Sequence, residues 1–280
     1  MKKVVLSILV VIMIVTCVFA AVACSKDSYI YVVEGGSAGE DYAKEYVAAF
    51  GGEIVTFEAQ KSIFMELVSG TADIGFMDVI MANYYVSAES ATYSGKIEIV
   101  DAGIPDESFA VGFRKEDTYL AYKFNMALYQ LQEEGKINEI AERYNLKDQL
   151  IVIEEPTAPQ NADQSSWTYV QSNGFKVGYT VYAPIAFPDT NNNLIGFDVD
   201  LAKAACQKLG ISISFVEIEW DQKFTALNSK NIDAIWNGFT YDSDRAQRVT
   251  FSSFYMKNKQ VAVVKAGRKD IVKNYSEISK

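Results

Sequence analysis

Apolar residues follow two different periods along the chain, and these periods predict alternating strands and helices. Short runs such as Tyr29 to Val33 alternate or run continuously apolar, which is typical of strands. Between such runs apolar residues recur every three or four positions, most clearly from Asp117 to Glu134, where they form one helical stripe. Alternation of strands and helices throughout predicts an α/β fold with a mostly parallel sheet covered by helices.

One predicted corner between a strand and a helix, residues 236–245, is rich in groups that recognise ligands. In α/β sheets, ligands bind beyond the carboxyl ends of the strands, where a helix N-terminus can receive an anion. This corner offers Gly238 for close backbone approach, the Thr240 hydroxyl, and Arg245, which can hold a carboxylate through two hydrogen bonds. The residues alone favour Arg245 as a surface partner of Asp242 or Asp244.

Two further corners lie in the N-terminal half. Ser37 precedes Glu40 by three residues, a spacing typical of a capping box that begins a helix. Asp78 ends the apolar strand that starts at Ala72 and precedes another helix. From the residues alone, each of Ser37 and Asp78 is either a helix cap, which is the commoner role, or a ligand group.

A polar segment divides the chain into two α/β halves. Residues 154–166 contain two prolines and little that could be buried, so they are predicted to be a linker. The alternating pattern restarts at the strand from Phe175. A chain of 280 residues with 49% apolar composition is long enough for two modest domains.

The first 23 residues predict an export signal, since two lysines precede an apolar run that ends in small residues. Cys24 follows directly and looks like the lipidated cysteine of a bacterial lipoprotein, although Ala21 stands where leucine is usual. Ordinary signal cleavage after Ala23 is one alternative. An uncleaved anchor is another, because residues 4–23 are long enough to span a bilayer. All three interpretations place the body outside the cytoplasmic membrane.

Composition narrows the classes of function. The net charge is −10 and no basic block is present, which argues against nucleic-acid binding. The chain has no histidine, which removes the commonest general base and any convincing zinc site. Cys206 is the single cysteine of the body and is expected to be a buried apolar residue rather than half of a disulfide. We therefore expect no metal, no cofactor and no enzymatic activity.

Residues 175–265 resemble the first lobe of the polar amino-acid-binding proteins of bacterial ABC importers, the solute-binding protein family 3 with the type 2 periplasmic-binding-protein fold. The motifs that carry the resemblance, in family order, are Pro184-Ile-Ala-Phe187, Gly196-Phe-Asp-Val-Asp-Leu-Ala202, Trp236-Asn-Gly238 and Arg245. Residues 29–148 are similar to the second lobe and C-terminal helices, through Gly36-Ser37, Thr71-Ala-Asp73 with Asp78, and Val111-Gly-Phe-Arg-Lys115. The resemblance implies two Rossmann-like lobes and a hinge of two strands, expected near 260–264 and 109–113.

The order of the lobes differs from the family order, because this chain begins in the second lobe. We therefore predict a circular permutation with new termini in lobe 2. The expected parts are lobe 2 (28–107 plus 268–280), the C-terminal helical part of lobe 1 (108–153), the linker (154–166) and the main part of lobe 1 (167–267). A fusion of two half-proteins, which would give a domain-swapped dimer, is the alternative.

The resemblance also implies a site for a free amino acid in the cleft between the lobes. Arg245 would hold the α-carboxylate and Asp78 the α-ammonium. A buried zwitterion needs one partner of each sign, because unpaired buried charges are costly. The groups expected to assist these two are Thr240, Ser37, the Ala38 amide and the Gly238 carbonyl.

The family's side-chain pocket falls on four further residues. Tyr182 and Trp220 would form its walls, and Asn237 and Glu34 would add polar contacts. Glu34 stands where glutamine is usual, which hints at a basic or amide ligand. Ala183 replaces a frequent aromatic residue, so the sequence does not identify the amino acid.

The implied function is that of an extracytoplasmic substrate-binding protein of an ABC transporter. Its partners would be a polar amino acid, the permease and ATPase subunits, and the membrane through lipidated Cys24. One alternative is an amino-acid-sensing module, which would need a transmembrane segment and a signalling domain. Another is a dehydratase-like enzyme on the same fold, which would need a positioned general acid or base.

Overall fold

The computed structural model describes residues 28–87 and 91–278. Its strands are β1 (Ile30–Glu34), β2 (Glu53–Phe57), β3 (Ile74–Asp78), β4 (Ile97–Val100), β5 (Asp106–Phe109), β6 (Gly112–Arg114), β7 (Phe175–Tyr179), β8 (Phe187–Pro188), β9 (Leu194–Ile195), β10 (Ile213–Glu217), β11 (Ala234–Ile235), β12 (Val249–Phe251) and β13 (Met256–Lys265). Its α-helices are α1 (Ala38–Phe50), α2 (Ser62–Ser69), α3 (Val79–Val86), α4 (Thr118–Glu133), α5 (Lys136–Arg143), α6 (Ser165–Asn173), α7 (Phe197–Leu209), α8 (Lys223–Asn228) and α9 (Ser243–Arg248). Short 3₁₀ turns span Lys147–Gln149, Trp220–Gln222, Lys269–Ile271 and Tyr275–Glu277.

Lobe 2 is built on a sheet with the strand order β2-β1-β3-β13-β4. Strand β1 runs parallel to β2 and β3, with helices α1 and α2 as the connections, whereas β13 is antiparallel to β3 and β4. Parallel strands end at the same edge of a sheet. The last residues of β1 and β3, Glu34 and Asp78, are therefore brought to one edge.

Lobe 1 is built on a second sheet with the order β10-β7-β11-β6-β12. Strand β7 is parallel to β10 and β11, and β6 is antiparallel to β11 and β12. The carboxyl ends of β7 and β11 lead into Thr180 and into the corner at Trp236. Lobe 1 thus presents its own strand ends to the cleft.

The lobes are joined by an antiparallel ladder between β5 and β13, in which Met256 faces Phe109 and Lys259 faces Asp106. The expectation that residues 260–264 form the crossing is wrong, because they pair with β3 inside lobe 2. The apolar side chains of Val261 to Val264 are buried there, which holds this half of β13 in that lobe. The predicted boundary at 267 assigns β13 to lobe 1, whereas its pairing puts residues 260–265 in the sheet of lobe 2.

The apolar cores account for the elements that the sequence pattern predicts. In lobe 1 the rings of Phe124 on α4 and Phe175 on β7 lie 4.3 Å apart, and Phe113 lies against both. Cys206 is a free cysteine buried on α7, as expected. The α/β fold with two lobes and two crossing strands is confirmed.

The export signal and Cys24 lie outside the described residues. Within 28–87 and 91–278, no helix has both the length and the apolar composition needed to cross a membrane.

Candidate functional site

All of the predicted ligand-binding residues line one small cavity between the lobes. Lobe 2 contributes Glu34, Ser37, Ala38, Gln60 and Asp78, and lobe 1 contributes Thr180, Tyr182, Trp220, Asn237, Gly238, Thr240 and Arg245. The cavity has a volume of about 10 Å³, which is enough for roughly one water molecule. The lobes are therefore closed on each other, and a larger ligand needs them to separate.

The corner after β11 has the backbone conformation that its glycine predicts. Gly238 has φ +61°, and a Cβ there would lie 2.8 Å from the Tyr182 ring. Its N–H donates to the Asp198 carboxylate at 2.6 Å, and the Tyr255 hydroxyl donates to the same oxygen at 2.9 Å. Gly196, not Asp198, occupies the N-cap position of α7. The Asp198 side chain instead holds the corner that carries the site.

Arg245 on α9 is buried and held at three points. Its Nε lies 2.8 Å from Asp242, and its NH1 donates to the Thr240 carbonyl at 3.1 Å. Its NH2 donates across the cleft to Asp41 on α1 of lobe 2, at 3.3 Å. The partnership with Asp242 that the sequence allowed is present, yet Arg245 is only 7% exposed and faces the cavity. A cation that spans both lobes can hold a carboxylate between them.

Asp78 stands at the N-cap position of α3, but its side chain makes no capping hydrogen bond. The carboxylate turns into the cleft, where it accepts hydrogen bonds from Gln60 at 3.1 Å, Gln260 at 2.8 Å and Asn258. Burial raises the pKa of Asp78, and these donors together with the Arg245 charge oppose the rise. A cationic group of a ligand would stabilise its ionised form.

Two more carboxyl groups lie close to Asp78. Burial, with a contribution from the Asp78 charge, raises the pKa of Glu34 to about 8 and that of Glu107 on β5 to about 7. Glu107 accepts from Asn258 at 3.2 Å and from Gln260 at 3.1 Å, so it shares the donors of Asp78. The cleft is therefore acidic on its lobe 2 side.

Ser37 performs the capping role and also lines the cavity. Its hydroxyl accepts from the Glu40 N–H at 3.1 Å, and Glu40 in turn accepts from the Gly36 N–H at 2.6 Å. This arrangement fixes the N-terminus of α1, with Ala38 as its first residue, against the cleft. An anion there would meet the positive end of the helix.

Aromatic rings enclose the cavity from lobe 1. Trp220 is buried edge-on against Phe239, with 5.9 Å between ring centroids. Tyr182 is buried, and its hydroxyl has no hydrogen-bond partner in the described part of the chain. Asn237 donates to the Thr180 hydroxyl at 2.9 Å. Lobe 1 thus lines the cavity with both aromatic rings and polar atoms.

Three residues at the cleft were missed from the sequence. Gln60 and Thr180 follow the ends of β2 and β7, so the position of a polar residue just beyond a strand was the available signal. Lys223 on α8 gave no such signal. Its ammonium donates across the cleft to the Gly36 carbonyl at 2.7 Å, and burial followed by the Arg245 charge lowers its pKa to about 7.

Comparison with known proteins identifies relatives for part of the chain. Residues 175–278 match the family model described as bacterial extracellular solute-binding proteins, family 3. ABC transporter arginine-binding protein 1 of Escherichia coli (strain K12) is 29% identical over 117 residues, which are 41% of this chain and 47% of that protein. A probable histidine-binding protein of Neisseria gonorrhoeae is 38% identical over 88 residues, 31% of this chain and 33% of that protein.

A solved structure shows the same partial likeness. An ABC uptake transporter substrate binding protein from Streptococcus pneumoniae with bound histidine has 34% identity and a TM-score of 0.30, and the match covers 30% of this chain and 35% of that chain. The chain thus spans less than half the length of the curated relatives described above.

The matched segment carries most of the lobe 1 side of the cavity, from β7 through Arg245 to β13. The family description names solute binding outside the cell and not catalysis. Residues 175–278 are thus similar to the bacterial extracellular solute-binding proteins, family 3.

Proposed function

We propose that the protein is the extracytoplasmic substrate-binding protein of an ABC transporter and captures a free polar amino acid between its lobes. Arg245 holds the α-carboxylate together with Thr240, Ser37 and the N-terminus of α1. Asp78 holds the α-ammonium with the Gly238 carbonyl. The carrying observation is that one closed cavity is lined by a buried arginine from lobe 1 and a buried aspartate from lobe 2.

The contacts between the lobes explain how binding couples to closure. The only ion pair that Arg245 makes with lobe 2 in the described residues is to Asp41, whose side chain is 61% exposed. A ligand carboxylate replaces this weak partner with a buried, bidentate one. Closure is then favoured by the ligand, because the groups that bind it belong to different lobes.

Calorimetric titration of the purified full chain with the common amino acids tests this function. We expect micromolar or tighter binding of at least one amino acid and no turnover of it. Arg245→Ala and Asp78→Ala should each abolish measurable binding, while the exposed substitution Arg143→Ala leaves it unchanged. A folded protein that binds none of the amino acids would refute the proposal.

The permuted order of the lobes is the second part of the proposal, with the domain limits given by the sequence. It is supported by contacts within lobe 2, since Tyr29 and Ile278 pack against the same cluster. In the same lobe, the Tyr46 hydroxyl donates to the Lys273 carbonyl at 2.8 Å, and the Tyr42 and Tyr275 rings lie 5.5 Å apart. These contacts join residues 29–46 to residues 273–278 within a single chain, which favours a monomer over swapped halves.

Attachment to the outer face of the membrane completes the proposal. Lipid on Cys24 would hold the protein near the permease and ATPase subunits. This attachment is supported by the leader sequence and by the similarity of residues 175–278 to extracellular solute-binding proteins. Cys24→Ala should release the protein from the membrane fraction and abolish labelling by radioactive palmitate, whereas Cys206→Ala should change neither. Retained labelling in Cys24→Ala would exclude this anchor.

A further inference from the structure

The residues that line the cavity carry more hydrogen-bond acceptors than an α-amino acid backbone can use. Gln60 is 3% exposed and its Oε1 has no partner in the described part of the chain, and the same is true of Oδ1 of Asn237, which is 2% exposed. The Tyr182 hydroxyl is also unpartnered there. Buried acceptors without donors are costly, so these atoms indicate what a ligand must bring.

The orientation of Gln60 follows from its neighbour. Its amide nitrogen donates to the Asp78 carboxylate, which accepts hydrogen bonds when ionised, so the amide oxygen is turned away from Asp78. This oxygen is therefore an acceptor at the cavity wall, beside Glu34. The donors of the cavity, by contrast, lie at Arg245 and the N-terminus of α1, where the ligand carboxylate is placed.

Glu34 supplies a second carboxyl group that the α-amino acid backbone does not need. It is 6% exposed, ends β1 and lines the same cavity as Asp78. If Asp78 holds the α-ammonium, Glu34 is left with no positive group of the ligand. Two carboxyl groups and several unpartnered acceptors in one small cavity match a ligand with two cationic groups.

We propose that Glu34 determines specificity, and that the ligand is an amino acid whose side chain carries a guanidinium or ammonium group bound by Glu34, Gln60 and Tyr182. This inference rests on the proposed function and assigns the substrate class of its site. A cationic side chain donates to these acceptors and favours ionised Glu34. A neutral side chain of the same shape brings no charge to balance an ionised Glu34, which then stays protonated.

The charges around Glu34 predict that binding releases a proton. The groups that act on it are Asp78 from β3, Lys223 from α8, the Gln60 backbone amide and the Tyr182 hydroxyl, with Glu107 of β5 beyond Asp78. With a pKa of about 8, Glu34 is mostly protonated at pH 7 in the ligand-free protein. A bound cation favours the ionised form, so affinity for a cationic ligand rises with pH up to about 8.

Matched pairs of ligands isolate the charge. L-arginine and L-citrulline have nearly the same shape but differ in charge, as do L-lysine and Nε-acetyl-L-lysine. Calorimetric titration of the full chain at pH 7 should show at least one cationic member binding about 100-fold more tightly than its neutral counterpart. In Glu34→Gln we expect affinity for the cation to fall about 10- to 100-fold, with the neutral counterpart changed less than about threefold.

Proton release separates the role of Glu34 from a merely structural effect. Titrations in two buffers of different ionisation enthalpy should show release of nearly one proton per bound cation at pH 7, and Glu34→Gln should remove most of it. Glu53→Gln, on the exposed side of β2, is the matched control and should behave as the parent protein.

The outcomes distinguish this inference from the proposed function. Binding of neutral amino acids as tightly as the cationic ones would overturn the inference and leave the proposed function standing. An unchanged preference for the cation in Glu34→Gln would overturn the role of Glu34. Binding of no amino acid at all would refute the proposed function itself.

Discussion

The ligand charges are expected to be recognised by side chains that the structure already holds in place. Arg245 is fixed by Asp242 and the Thr240 carbonyl, and only its contact with Asp41 must be exchanged. Asp78 is fixed by amide donors from two neighbouring elements. Groups held in this way lose little conformational freedom on binding, which favours affinity.

Arg245→Lys tests whether the shape of the guanidinium matters as well as its charge. Lysine keeps the charge but cannot form two parallel hydrogen bonds to a carboxylate, so we expect affinity to fall about 100-fold. Calorimetric titration with the amino acid that the parent protein binds measures the change. Arg143→Lys, at an exposed pair with Asp200, should leave affinity unchanged. A loss of less than threefold in Arg245→Lys would contradict a bidentate contact.

At the scale of single residues, the sequence predicted which residues lie at the corners between strands and helices, but not which distant residues they contact. Arg245 and Asp78 were candidates because they lie at corners that follow apolar strands, where ligands bind, but their ligand roles came from the family resemblance. Asp41 and Lys223 were not candidates, since they reach the cleft only when the lobes approach each other. The contact between the Asp198 carboxylate and the Gly238 N–H was not predictable, because nothing in the local sequence shows that the two lie together.

The turn between β1 and α1 of lobe 2 is in contact with lobe 1 across the cleft. Gly36 has φ +71°, and its carbonyl accepts from Lys223 of lobe 1. A Cβ at this position would lie 2.8 Å from the Cα of Asp221, which also belongs to lobe 1. The turn therefore needs glycine for two reasons, its conformation and the close approach of lobe 1.

Gly36→Ala and Gly70→Ala separate these two reasons. Gly70 has φ +82° with nothing within 4 Å of an added Cβ, so both substitutions strain the backbone but only Gly36→Ala obstructs closure. We expect each to lower the free energy of unfolding by about 1 kcal/mol, as measured by urea denaturation. Ligand affinity should fall at least about tenfold in Gly36→Ala and stay the same in Gly70→Ala. Equal affinities in the two variants would show that the turn does not limit closure.

Prediction of the elements was better than prediction of their partners. The strand from Phe175 and the helix between Asp117 and Glu134 were found from periodicity, since their burial follows from their own side chains. The crossing was misplaced on β13, because a single apolar strand gives no local sign of where it leaves one sheet for another.

At the scale of the whole molecule, the two lobes meet through a closed and charged interface. Three of the carboxyl groups whose pKa values are raised by burial reach the neutral range: Glu34 at about 8, and Glu107 and Asp198 at about 7. Each binds more protons in the folded than in the unfolded protein between its ordinary pKa and the raised value. Lys223, whose pKa is lowered to about 7, acts in the opposite direction only above that pH.

These shifts predict how the stability of the ligand-free protein depends on pH. The unfolding temperature should be highest near pH 5 and fall as pH rises to about 8, since the stabilising protonation of the three carboxyl groups is lost there. Above pH 8 the unfolding temperature should stop falling, because Lys223 is then neutral in the folded protein and this favours the folded state. Thermal unfolding monitored by circular dichroism measures the profile, and Glu34→Gln should flatten it between pH 6 and 8. A profile that does not change between pH 5 and 8 would contradict the burial of these groups.

The permuted order makes a prediction about the whole chain that does not depend on any ligand. If the lobes belong to one permuted unit, a chain that runs from residue 167 to 280, continues at 28 and ends at 153 keeps every strand of both lobes and all helices except the first two residues of α6. The junction lies where Tyr29 and Ile278 already share a cluster, so a short glycine-rich connection suffices. We expect the reordered and parent chains to be monomers by light scattering, with unfolding temperatures within about 5 °C of each other and equal ligand affinity. A chain opened within α4 should not fold, because α4 carries buried side chains of lobe 1. A parent protein that is an obligate dimer, beside a monomeric reordered chain, would instead establish that its lobes are completed between two copies.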